Sequence, residues 1–104
     1  MSDKSDESDE SEGFAPPPFK ADAALVQLQR SLRDLKLAAR GPGFELRGKR
    51  VIELTLDPDK LQGKLARRLM LTPEWDRMSI GSASEQRKFI DEVKRRLARW
   101  ERED

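Results

Sequence analysis

The 104-residue chain contains no cysteine, no histidine and no tyrosine. Without cysteine it can build neither a disulfide framework nor a thiolate metal site, and it has no thiol nucleophile. Without histidine it lacks the usual general base near neutral pH and a favoured zinc ligand. Carboxylates, lysines and serines remain for catalysis, and no spacing among them amounts to a motif. Asp57 and Asp59 flank Pro58 with no calcium-loop spacing after them, so helix capping accounts for the pair. Asp91 and Glu92 stand four residues before Arg95 and Arg96, the spacing of surface ion pairs. Gly41-Pro42-Gly43 precedes a strand pattern, whereas a phosphate-cradling glycine loop follows a strand and opens a helix. No catalytic residue, metal site or cofactor is therefore expected, and a carboxylate site assembled from distant positions is the one enzymatic reading left.

Long apolar runs are also missing. None approaches the length of a membrane span, and the amino terminus is acidic where a signal peptide has a basic start and an apolar run. The expectation is a soluble cytoplasmic protein with no membrane partner.

What the chain has in quantity is charge, 39% of its residues, distributed unevenly. Residues 1–13 hold six acids (Asp3, Asp6, Glu7, Asp9, Glu10, Glu12) against Lys4, a net of −5. The other 91 residues hold 20 bases and 14 acids, a net of +6, so the near-neutral total joins an acidic tail to a basic body. The tail has no apolar residue after Met1, and its like charges repel, which predicts disorder. Residues 14–20 follow as a proline-rich linker in which Pro16, Pro17 and Pro18 hold Phe14 and Phe19 apart. These two phenylalanines are candidates for docking to a partner or back onto the body.

Residues 21–104 are expected to form one small α+β domain, with three helices on one face of an antiparallel hairpin. The first helix is predicted over 23–39, with Asp22 as N-cap and Gly41-Pro42 as its end. Leu25, Leu28, Leu32 and Leu35 form its seam, and Val26 and Leu37 lie off it as candidate docking residues. The seam matches coiled-coil spacing for about two heptads, so core packing in a monomer is favoured and a homodimer through 25–35 is the alternative. Over 44–56 the period changes from 3.6 to 2, which predicts a hairpin turning at Arg47-Gly48-Lys49 with Phe44 opposite Ile52. Asp57-Pro58-Asp59 then reads as the start of a second helix over 59–70. Leu61, Leu65 and Leu69 would form its buried stripe, and Gly63 would lie on its exposed side. Residues 74–80 fit either a short strand or a helical turn. The last helix, 83–101, is the most strongly patterned stretch: Ser82 and Glu85 form a capping-box pair, and Phe89, Val93, Leu97 and Trp100 fall on one arc.

Two functional readings compete. The first is a small non-catalytic interaction or regulatory protein, with a protein partner reached through exposed helix or edge-strand surface. The second is a nucleic-acid-binding accessory protein with a basic helix surface, for which the acidic tail is a competitor. Its candidate residues are Arg47, Lys49 and Arg50 at the hairpin turn, Lys60, Lys64 and Arg67 on the predicted second helix, and Lys88, Arg95 and Arg99 on the last. Arg68 falls at the edge of the second group. Aromatics are not interleaved with these bases and no helix-turn-helix pattern is present, which places this reading second.

Overall fold

The computed structural model describes residues 19–103. The acidic tail 1–13 and residues 14–18, including Phe14 and the three linker prolines, lie outside the described residues. The elements run in the order α1 (Ala21–Asp34), β1 (Ala38–Arg40), β2 (Gly43–Leu46), β3 (Lys49–Leu56), β4 (Leu61–Ala66), β5 (Trp75–Ile80) and α2 (Ala83–Trp100). All neighbouring strands pair antiparallel, giving a five-stranded meander in sequence order. Both helices share one continuous core with the sheet. The α+β class holds, but among the described residues three helices on a hairpin are replaced by two helices on a five-stranded sheet.

The helix expected over 59–70 is instead β4 and the loop after it. Asp57-Pro58-Asp59-Lys60 does not cap a helix; it is the tight turn between β3 and β4, closed by the Asp57 amide donating to the Lys60 carbonyl at 2.9 Å. Leu61 and Leu65 are fully buried, but on a strand face with Gly63 between them. Gly63 is therefore not on an exposed flank: a Cβ there would overlap the ring of Phe89 from α2. That contact also orients the sheet. Leu61, Gly63 and Leu65 face the helices, and alternation turns Gln62 and Lys64 to the opposite face.

The first helix is shorter than expected. Lys20 is its N-cap and makes no side-chain cap, while Asp22 sits in the first turn with Oδ1 accepting the Ala23 amide at 2.8 Å. The helix stops at Asp34 because Lys36 adopts a left-handed conformation, φ 71°. The Leu37 amide donates to the Leu32 carbonyl and the Lys36 amide to the Arg33 carbonyl, the two bonds of a Schellman ending, and Leu37 and Leu32 are both buried. Ala38 and Ala39, assigned to this helix by the sequence pattern, instead form the edge strand β1 with Arg40. In the leucine seam Leu28 and Leu32 are fully buried and Leu25 and Leu35 pack partly buried against the core. The seam thus packs against the core of the same molecule.

The hairpin at 44–56 is β2 and β3. Its turn has two residues rather than three, Arg47 and Gly48, both at positive φ (54° and 79°), as a type I′ turn requires. Phe44 still pairs with Ile52, because a bulge beside Val51 shifts the register by one residue between Glu45↔Arg50 and Phe44↔Ile52. Residues 75–80 resolve as β5, a strand and not a helical turn.

The closing helix follows its pattern. Ser82 Oγ accepts the Glu85 amide at 3.1 Å, while Glu85 Oε1 reaches one residue past the cap to accept the Gly81 amide at 2.7 Å. Phe89, Val93 and Trp100 are fully buried, and the Trp100 indole Nε1 donates to the Ala66 carbonyl at 3.1 Å, joining α2 to the end of β4.

Candidate anion-binding pocket

The carboxyl-terminal end of α2 meets the β4–β5 loop (67–74) and the β2–β3 turn, and arginines arrive from all three. Arg47 at the turn donates from Nη2 to the Glu101 carbonyl (3.0 Å) and from Nη1 to the Glu103 carbonyl (3.1 Å), satisfying acceptors where the helix dipole is negative. Arg99 Nη2 donates to the Arg67 carbonyl at 2.6 Å, and the Leu69 amide donates to Glu103 Oε1 at 2.9 Å. The loop is therefore tied to the helix at both of these points.

A chain of alternating charges reinforces the junction. Glu74 pairs with Arg67 (3.4 Å), Arg67 Nε with Asp76 Oδ1 (2.8 Å), Asp76 Oδ2 with Arg96 Nη1 (2.9 Å), and Arg96 Nε with Glu92 Oε2 (2.7 Å). Glu92 Oε1 accepts Arg95 Nη2 at 2.7 Å, closing the chain. The two arginines bonded to each of Asp76 and Glu92 hold both carboxyls below the usual carboxylate range; Arg67 then Arg96 act on Asp76, and Arg96 then Arg95 on Glu92. Their negative charge is already spent on named partners.

Arg67, Arg68, Arg96 and Arg99 line a shallow open pocket of about 330 Å³ with Asp76 and Glu103. Each Asp76 oxygen is taken by one arginine, and Glu103 has one oxygen on the Leu69 amide and the other 4.0 Å from Arg99. Among the described residues Arg68 has no ion-pair partner. Arg67 is also paired with Glu74 and Arg96 with Glu92, so the positive excess of the pocket rests on Arg68 and Arg99, the cations least neutralised. Guanidinium forks at its rim suit carboxylate or phosphate.

The candidates of the sequence pattern divide by face. Arg47, Arg67 and Arg99 converge on this end. Arg95 and Lys88 lie exposed along α2, with Arg95 held by Glu92. Lys64 and Arg50 lie on the sheet face away from the helices, both paired with Glu53. Lys49 is at the end of the hairpin turn and Lys60 in the β3–β4 turn. The shared helix face expected for Lys60, Lys64 and Arg67 does not exist, because a strand sends Lys64 and Arg67 to opposite sides. Of the docking candidates, Val26 is 52% exposed, Phe19 is partly buried against the core, and Leu37 is buried, which removes it from any docking surface. Sequence reasoning missed Arg96 and Asp76 as partners across elements. The paired arginines at 67–68 and 95–96 were the available signal, hidden by the assignment of 59–70 to a helix.

A larger groove of about 480 Å³ separates α1 from α2. Its lining mixes Arg87 and Lys94 with Asp91, and Gln86 Nε2 donates to Gln27 Oε1 across it at 3.0 Å, so no single ligand charge is selected. Among the described residues no group of His, Cys, Asp or Glu could hold a metal ion, and no helix is long and apolar enough to cross a membrane.

The architecture is that of a small two-layer α+β protein, two helices on one face of an antiparallel meander, with an arginine-rich pocket at one end. No protein-family model, curated protein or solved structure matches the chain. The functional reading accordingly rests on the pocket.

Proposed function

We propose that the chain is a small non-catalytic interaction protein that binds an acidic segment of a protein partner at the carboxyl-terminal end of α2. The observation that carries the reading is the pocket of Arg67, Arg68, Arg96 and Arg99, whose two acids are committed to internal partners. An incoming carboxylate meets Arg68 and Arg99, while Arg67 and Arg96 are held by Glu74, Asp76 and Glu92 and shape the floor of the pocket. Binding a labelled oligo-glutamate peptide tests it. The peptide binds at low salt, weakens as salt rises, and loses about tenfold or more in affinity in the Arg68→Glu/Arg99→Glu variant. Absence of binding at low salt would sink the reading.

One observation favours nucleic acid as a second reading. On the sheet face away from the helices, Lys64 stands directly opposite Arg77, a like-charged pair that is unfavourable without an anion between. Glu53 offsets Lys64 at 3.8 Å, and Arg77 has no ion pair among the described residues. A duplex or single-stranded oligonucleotide that outcompetes the peptide and is lost in Lys64→Glu/Arg77→Glu would establish this face instead.

A further inference from the structure

The loop that supplies Arg67 and Arg68 also carries the most exposed large apolar side chain among the described residues, Leu71, with the exposed Met70 beside it. Leu71 is 81% exposed and Met70 is 44% exposed. A single exposed leucine is ordinary. Here two adjacent ones sit on a loop that is anchored on either side. Before them, Arg99 holds the Arg67 carbonyl, Glu103 holds the Leu69 amide, and the Leu69 side chain is buried. After them, Glu74 pairs with Arg67 and its carbonyl accepts the Arg67 amide at 2.9 Å. The loop therefore holds Met70 and Leu71 in water at a defined place beside the pocket. Leu71 is three residues past Arg68, so their Cα atoms are no more than about 11 Å apart. That is the reach of three or four residues of an extended peptide.

Resting on the proposed function above, we infer that the partner segment is an acidic residue or run followed within about four residues by a large apolar side chain. The acid is taken by Arg68 and Arg99, and the apolar side chain packs on Met70 and Leu71. The charge excess of the pocket selects the first part and the anchored apolar tip selects the second. Because the loop is tied at Arg67, Leu69 and Glu74, packing on its tip costs less ordering of this chain than packing on a free loop.

The test uses the full chain and two labelled twelve-residue peptides of Glu and Ser that differ only after the last Glu, one continuing Leu-Phe and the other Ser-Ser. The Leu-Phe peptide binds about tenfold tighter, the factor expected for withdrawing roughly one large apolar side chain from water. Met70→Ser/Leu71→Ser removes that difference while leaving Ser-Ser peptide binding and its salt dependence unchanged. Arg68→Glu/Arg99→Glu weakens both peptides, with thermal unfolding showing that each variant folds. Equal affinity for the two peptides, with binding retained, overturns this inference and leaves the proposed function standing. Failure of both to bind overturns both. Tighter binding to vesicles of phosphatidylserine in phosphatidylcholine than to either peptide, lost in Met70→Ser/Leu71→Ser, assigns the loop to a lipid surface and overturns the inference.

Discussion

Replacing Gly63 by alanine separates a helix at 59–70 from a strand at 61–66 by the sign of its effect. On an exposed helix flank the change stabilises by up to about 1 kcal/mol, since glycine is the poorer helix former. In β4 the same methyl group points into the core, where it would overlap the ring of Phe89, with Cε1, Cδ1 and Cζ all in its way. The ring belongs to a fully buried side chain in the middle of α2, so it cannot swing into solvent. Inserting a carbon into such a site costs about 1–3 kcal/mol, and the lower chain entropy of alanine in the unfolded state returns about 0.5–1 kcal/mol. The net expectation is destabilisation by up to about 2.5 kcal/mol, centred near 1 kcal/mol, with each kcal/mol lowering Tm by roughly 4–8 °C for a domain of this size. Urea unfolding followed by tryptophan fluorescence reads it as a lower midpoint at unchanged m-value. Phe89→Leu in the same background makes room for the methyl group, so the double variant loses less than the sum of the singles. A Gly63→Ala protein more stable than the parent would refute both the strand and the packing of Phe89 on it.

Other tests address the charge chain, the helix ending and the tail. Asp76 and Glu92 have folded-state pKa values below their unfolded ones, so their stabilisation is full at neutral pH and is lost as pH falls below about 4 through the lowered values. The urea midpoint should fall more steeply over that acid window in the parent than in Asp76→Asn/Glu92→Gln; identical slopes would show that the chain contributes nothing. Lys36→Gly should stabilise by up to about 1 kcal/mol, because φ 71° is a left-handed conformation that glycine adopts freely, and a lower Tm would contradict the Schellman ending. Removing residues 1–13, which carry a net of −5, should strengthen binding of polyanions to the basic body and steepen its salt dependence. Equal binding by the full-length and shortened chains at low salt would exclude competition by the tail.

The parts of the fold readable in the sequence were those whose pattern admits one period. The arc Phe89, Val93, Leu97, Trp100 has spacings of four, four and three, and its capping serine and glutamate are local, so α2 was placed to within a residue of its observed ends. Ile52, Leu54 and Leu56 alternate and fit only a strand. Leu61, Leu65 and Leu69 are different: a spacing of four is close to one helical turn and is also two strand repeats. The residue that breaks the tie is Gly63, which a helix tolerates as a weak flank position but a strand uses as the space for a ring arriving from 26 residues later. That information is tertiary and has no local signature. The same error concealed the site. Arg67 read on a helix falls on its exposed side with Lys60 and Lys64, and Arg68 at the edge of that group; at the mouth of a loop they stand against α2 and β5, where Asp76 and Arg96 complete the pocket. The Leu37 ending shows the converse case, in which the bonds of a Schellman motif form with lysine at the left-handed position and the signal usually read, glycine, is absent. In each instance the sequence pattern allows two local conformations of similar energy. Burial of one side chain, Phe89 over Gly63 or Leu37 beneath α1, selects between them. The pocket's position therefore depends on core packing: a change that dislodged Phe89 from β4 would loosen α2 and separate Arg96 and Arg99 from Arg67 and Arg68.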